Sequence, residues 1–186
     1  ARLREAGIPL LVTREPGGTE LGEQLRQLLL QKEGLAPTPM AELLMVFAAR
    51  AQHVDTVIAP ALQRGEWVLC DRFTDASFAY QGFGRGLPLG AIQQLAELAH
   101  PHINPNLTIL LDVDPKVGLE RARARGELDR FELEAIPFFE AVRNGYLQRV
   151  KLEPHRWRVI DAGVALEQVE QQLGNCLKEW IADAIS

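Results

Sequence analysis

Residues Trp67-Val68-Leu69-Cys70-Asp71-Arg72-Phe73 constrain the fold more than any other stretch. A short apolar run that ends in Asp-Arg reads as a strand buried in a parallel sheet, delivering two opposite charges at its carboxyl end. Open α/β sheets bind their ligands at that end of the strands. An acid beside a base suits a metal-bound phosphate substrate, with the Asp facing Mg2+ and the Arg forking a phosphate. A surface ion pair capping an ordinary strand explains the same two residues, so the rest of the chain must decide.

A second apolar run, Asn106 to Asp112, also ends in Asp, and Ile8–Thr13 and Trp157–Asp161 read as two further strands. Helical spacing fills the intervals. Leu21, Leu25, Leu28 and Leu29 share a face, and a long helix fits Met40 to about Leu62 through Leu43, Leu44, Phe47, Val54, Val57 and Ile58. More helices are predicted at Ala1–Gly7, Leu89–His100, from Pro115 into an arginine-rich stretch, within Phe131–Val150, and at Val164–Ile185. Pro137 marks a break or a new start within the fourth of these. Strands alternating with helices predict one α/β domain over residues 1–186, a parallel sheet with helices on both faces. Loops are expected at Arg14-Glu15-Pro16-Gly17-Gly18, at Gln31–Pro39, and at Tyr80–Pro88, where Gly82, Gly84 and Gly86 suggest flexibility.

Charge and composition narrow the function. A net charge of −5 argues against a dedicated nucleic-acid binder. No apolar run reaches the roughly 18 residues of a membrane span, and no secretory leader opens the chain, so no membrane partner and a cytoplasmic location are expected. Cys70 falls in a core strand and Cys176 in a helix, which predicts two buried thiols without a disulfide.

Several side chains are candidates on their own spacing. Phe47 and Arg50 are three apart and share a helix face, so they suit either a flat base or the core. Arg26 alone is a solvated charge on the preceding helix. Arg121, Arg123 and Arg125 before Gly126 read either as a mobile basic flap or as cations favoured at a helix C-terminus.

Taken together, Thr13-Arg-Glu-Pro-Gly-Gly18, Phe47-Ala-Ala-Arg50, Asp71-Arg-Phe73 with Ala79-Tyr-Gln-Gly82, and Arg121-Ala-Arg-Ala-Arg-Gly-Glu-Leu-Asp-Arg130 closely resemble the bacterial thymidylate kinases. These are nucleoside-monophosphate kinases of the P-loop fold, and the likeness runs from residue 1 to the last helix. The resemblance implies a three-layer P-loop NTPase-like fold with a short helical lid at about 121–135. It implies transfer of the γ-phosphoryl group of ATP to dTMP with Mg2+, in a homodimer formed through helices. By the same resemblance Arg72 and Arg26 grip the dTMP phosphate, and Phe47 stacks on thymine. Arg50 and Gln81 hydrogen-bond its polar edge with help from Ser77, while Tyr80 crowds the sugar C2′. Asp71 orients the Mg2+ shell, Glu15 sits near the reacting phosphates, and Arg125, with Arg121 and Arg130, closes over ATP.

One motif of that family is absent. No Gly-x-x-x-x-Gly-Lys-Ser/Thr occurs in the 186 residues, although its backbone amides and lysine would cradle the ATP phosphates. In the family the strand preceding that loop lies mid-sheet, between those placed here at 67–71 and 107–112. The expectation is that the whole protein carries this strand and loop ahead of residue 1. Two other readings are a kinase for another pyrimidine nucleotide or deoxynucleoside, and a non-catalytic nucleotide-binding relic.

Overall fold

The computed structural model describes residues 2–34 and 36–185. Ala1, at the start of the first predicted helix, and Leu35, in a predicted loop, lie outside the described residues. A short helix α1 (Arg2–Glu5) leads into strand β1 (Leu10–Arg14). Helix α2 (Glu20–Leu30) starts at Thr19, whose hydroxyl accepts from the Gly22 amide at 2.9 Å and satisfies one of the free first-turn donors.

Helix α3 (Pro39–His53) is capped by Thr38 and has Pro39 in its first turn, where the missing N–H costs nothing. It continues through a π-helical turn, Val54–Ile58, into α4 (Ala59–Gln63). The sequence predicts one rod over this span, and the widened turn has a local cause. Pro60 has no amide to return to residue 56, and the Thr56 hydroxyl donates to the Gln52 carbonyl at 2.7 Å.

Strand β2 (Trp67–Asp71) is followed by a single helical turn, α5 (Thr74–Ser77), and a π-helical segment, Phe78–Gly84. Tyr80, Gln81 and Gly82 are therefore helical, which corrects the first part of the flexible loop predicted over 80–88, while 85–88 lie outside the helices. The glycine there serves packing. A Cβ on Gly82 would lie 2.6 Å from Leu89 Cδ2, so the residue is small because a neighbouring helix comes close. That neighbour is α6 (Leu89–Ala99).

Strand β3 (Thr108–Asp112), helix α7 (Pro115–Arg125), helix α8 (Ile136–Leu152), strand β4 (Trp157–Asp161) and helix α9 (Leu166–Ile185) complete the order. Pro137 falls in the first turn of α8, so it begins a helix and does not break one. None of the described helices is long and apolar enough to cross a membrane. Both cysteines are free, Cys176 buried and Cys70 partly so.

All strand pairing is parallel, but it falls into two pairs. β1 lies beside β2 with Val12 opposite Leu69 and Arg14 opposite Asp71. β3 lies beside β4 with Leu110 opposite Val159 and Asp112 opposite Asp161. The sequence predicts a parallel sheet that lacks a strand between 67–71 and 107–112. Among the described residues β2 and β3 are not hydrogen-bonded to each other, and each has one strand partner. Leu69 and Leu111 remain 49% and 51% exposed, unusual for strands that read as fully buried.

The core is helical as much as it is sheet. Leu43 and Phe47 of α3 pack with Phe78 and with Ile92 and Ala96 of α6. Each large apolar side chain buried there contributes about 1.5–3 kcal/mol. A second cluster joins Ala79 to Phe138 and Val142 of α8, with Tyr80 and Tyr146 against it. These two clusters fix the helical segment 74–84 from both sides. That segment carries Ser77, Tyr80 and Gln81 beyond the end of β2.

Candidate active site

The carboxyl ends of β1 and β2 place Arg14, Glu15, Asp71 and Arg72 side by side, and the Glu15 amide donates to the Asp71 carbonyl at 2.9 Å. The backbone turns abruptly at Arg72, whose φ of 64° lies in the left-handed region. For a residue with a Cβ this costs about 1–2 kcal/mol and recurs where a side chain must be aimed. The Cys70 thiol donates to the Arg72 carbonyl at 3.1 Å, and the Arg72 guanidinium lies 4.9 Å from the centre of the Tyr80 ring.

Arg72 is not alone. Arg26 of α2 reaches back to the same end of the sheet and donates to the Pro16 carbonyl at 3.1 Å. Partial burial, then the like charges of Arg14 and Arg72, hold the Arg26 guanidinium below its ordinary value. Of these three only Arg14 has an ion-pair partner among the described residues, Glu23 at 2.9 Å. Three converging cations, only one of them in an ion pair among the described residues, form a site for an anion. The sequence-based reading missed Arg14. Its one signal was its place at the end of β1, which the pairing of β1 with β2 turns into a position opposite Asp71.

Behind this cluster lies a buried polar chain. Arg50, 1% exposed, donates from Nε to Glu15 Oε2 at 2.6 Å and from Nη1 to the Ser77 hydroxyl at 3.0 Å. His53 Nδ1 is 3.0 Å from Glu15 Oε1, and its Nε2 is 2.7 Å from the Thr13 hydroxyl. A carboxylate only accepts, so Nδ1 carries the proton. Burial pushes the Glu15 carboxyl up, but the Arg50 charge and the hydrogen bonds from His53 and Arg50 outweigh it and leave it below its ordinary value. Glu15 was expected near the reacting phosphates. It is 3% exposed with both oxygens occupied, so its geometry is that of a brace holding Arg50.

Glu15, His53 and Cys70 bring one potential ligand atom each within 4.8 Å of one another. A cation would there face the Arg50 guanidinium across the same carboxylate, and burial pushes the Cys70 thiol far above its ordinary value, away from the thiolate a metal needs. The charge requirement of that cluster is met by Arg50.

Phe47 was expected to stack on a base. It is 4% exposed within the first core cluster, and the Arg50 guanidinium covers its ring at 4.6 Å. Its place in this structure is beneath Arg50. Ser77 and Gln81 are four apart on the 74–84 segment and lie on one side of it, with Gln81 Nε2 donating to Glu42 Oε1 at 2.9 Å. Tyr80 meets Phe131, Phe138 and Tyr146 edge-on.

The arginines expected to form a lid diverge. Arg121 donates to the carbonyls of Ala162 and Gly163 at 2.6 and 3.3 Å, at the turn after β4. Arg125, at the end of α7, is 71% exposed and pairs with Glu132. Arg130 folds inward, donating to Glu42 at 2.6 Å and to the Leu29 carbonyl at 2.7 Å. Arg130 thus anchors the root of the 126–135 segment, while Arg125 is at its open side.

The family profile for "Thymidylate kinase" matches residues 1–173. The chain is 53% identical to the thymidylate kinase of Teredinibacter turnerae over 179 residues, covering 96% of this chain and 87% of that protein. It is 52% identical to the thymidylate kinase of Pseudomonas savastanoi over 181 residues, covering 97% and 86%. In structure it resembles the crystal structure of thymidylate kinase from Ehrlichia chaffeensis, with a TM-score of 0.71 and 34% identity over 91% of this chain and 80% of that one. With its parallel strands, its arginine cluster at their carboxyl ends and these likenesses together, the chain belongs to the thymidylate kinase family.

Proposed function

We propose that the chain transfers the γ-phosphoryl group of ATP to dTMP, giving dTDP. The observation that carries this reading is the convergence of Arg14, Arg26 and Arg72 at the ends of β1 and β2. Their charges suit the phosphate of a nucleoside monophosphate. The buried Arg50 and Ser77 lie alongside, with Gln81, for the polar edge of a base. Phosphoryl transfer asks a protein for positioning and charge neutralisation more than for covalent help, and these residues supply both. Tyr80, fixed on three sides by rings, limits the space beside the sugar. Arg125, exposed on the lid, exchanges Glu132 for the phosphoryl group in transfer.

Asp71 supports a place for Mg2+. It is exposed at the end of β2 and has no ion pair among the described residues, so its carboxylate fits the water shell of a hard cation. Bound there, Mg2+ would neutralise phosphate charge.

The reading extends to a cytoplasmic homodimer, supported by Leu28, Leu44 and Leu98, which are 54%, 49% and 81% exposed on α2, α3 and α6. It also includes a further strand with a phosphate-binding loop between β2 and β3, supported by their missing hydrogen-bond partners and their exposed leucines. Slow amide exchange along the edges of β2 and β3 that have no strand partner here is the expected result in the whole protein, and fast exchange there removes that part.

Steady-state rates on dTMP, dUMP, dCMP and thymidine test the substrate, and a preference for any but dTMP overturns it. Arg72→Ala is expected to raise KM for dTMP and lower kcat. Arg125→Ala should chiefly lower kcat, on the order of a hundredfold. Unchanged kinetics would remove either residue from the mechanism.

A further inference from the structure

Glu42 lies in the first turn of α3 and is 0% exposed, so its carboxylate needs internal donors. It has them from three directions. Gln81 Nε2 reaches Oε1 at 2.9 Å, Arg85 spans both oxygens at 3.3 Å, and Arg130 reaches Oε2 at 2.6 Å. A counter-ion for two arginines would account for the last two contacts. The first has a separate consequence.

A carboxylate accepts and never donates, so the carboxamide of Gln81 has one permitted orientation, with NH2 toward Glu42. Its oxygen faces the other way, and among the described residues no side chain donates to it. Four residues earlier on the same segment, Ser77 accepts from the Arg50 guanidinium, which can only donate. A fixed acceptor next to a fixed donor matches thymine, which offers a ring N–H beside a carbonyl. Cytosine offers the reverse, a ring nitrogen lone pair beside an amino group.

We propose that Glu42 is a positioning residue for base selection, holding Gln81 so that its oxygen, and not its NH2, faces the nucleotide. The inference rests on the reading that Gln81 meets the base edge. Without the carboxylate the amide is free to turn and offer its NH2 to cytosine.

The test is the ratio of kcat/KM for dTMP to that for dCMP. Glu42→Gln, and Glu42→Asp, which keeps the charge for both arginines but withdraws it by one methylene, are each expected to lower the ratio by about tenfold or more, the scale on which sites that read a polar edge discriminate. Arg130→Gln leaves Gln81 held and leaves the ratio unchanged. Equal losses on both nucleotides in the Glu42 variants, with Gln81→Leu lowering the ratio, would overturn the role of Glu42 alone. An unchanged ratio in Gln81→Leu would overturn the base-edge reading itself. Should the Glu42 variants not fold, NMR of the unaltered protein decides. A slowly exchanging Gln81 side-chain NH2 supports the proposal, and exchange at the rate of a free amide overturns it.

Discussion

Glu15 shows how far a single residue's role depends on partners remote in sequence. Its motif, Arg-Glu-Pro-Gly-Gly, places it in a turn after a strand, beside a site for phosphate. The direction of its side chain is set by Arg50 and His53, which lie 35 and 38 residues away. Glu15→Gln keeps the shape but leaves the Arg50 guanidinium buried against a neutral group. Losing one partner of a buried pair costs about 3–5 kcal/mol, so the urea midpoint should fall accordingly. An unchanged midpoint would show that Arg50 finds its compensation elsewhere. The same carboxyl gives a pH dependence of definite sign. Its folded value lies below the unfolded one, so its stabilisation is complete above the ordinary carboxylate value of about 4.3 and is lost as the pH falls through the folded value. Urea midpoints measured from pH 6 downward should therefore drop below about pH 4.3 in the wild type, and by less in Glu15→Gln.

At the level of elements, the strands were legible because short apolar runs bounded by charges leave little choice. β2 and β4 run over 67–71 and 157–161 as predicted, and β1 and β3 differ by a residue or two. The 78–84 segment was not legible, since Gly82, Gly84 and Gly86 at alternate positions signal a turn when their neighbours are unknown. In the structure Gly82 faces Leu89 and Ile92, and a Cβ would lie 2.6 and 3.2 Å from their side-chain ends. Leu89 is 43% exposed and can yield, whereas Ile92 is fully buried. Gly82→Ala is expected to destabilise by about 1–3 kcal/mol, the usual result of overpacking. It should also raise KM for dTMP, because Gln81 rides on the same turn. Calorimetry and steady-state kinetics check the two effects, and no change in either would restore the reading of 80–88 as a loose loop. The positions of Arg121, Arg125 and Arg130 follow the same pattern. Their spacing revealed a basic stretch, but only packing separates the exposed Arg125 from the inward Arg130.

For the molecule as a whole, the question is what joins the β1–β2 half to the β3–β4 half, since no strand pairing does so among the described residues. Besides the packing of Ala79 and Tyr80 on α8, one tie is aromatic. Trp67 of β2 meets Trp180 of α9 edge-on at 5.0 Å. The other is ionic and centred on Asp75, 6% exposed in α5 just beyond β2. Its oxygens accept from Arg149 of α8 at 2.9 Å and twice from Arg156, just before β4, at 2.8 Å. Arg156 also donates to the Thr108 hydroxyl of β3 at 2.8 Å, so one side chain links the end of β2 to both strands of the other pair. Asp75→Asn retains the size and removes the charge that holds two arginines in place. Two effects are expected. Stability should fall by about 3–5 kcal/mol, as for other broken buried ion pairs. Cooperativity should fall as well, because the ties that remain, the Trp67–Trp180 contact and the packing of Ala79 and Tyr80 on α8, do not reach both strands of the other pair through one side chain. Unfolding in urea followed by tryptophan fluorescence and by far-ultraviolet circular dichroism should coincide in the wild type and separate in the variant. Coincident curves at a lower midpoint would mean that Asp75 stabilises the fold without coupling its halves, and that the Trp67–Trp180 contact and the packing of Ala79 and Tyr80 on α8 are enough to make the two pairs of strands unfold as one.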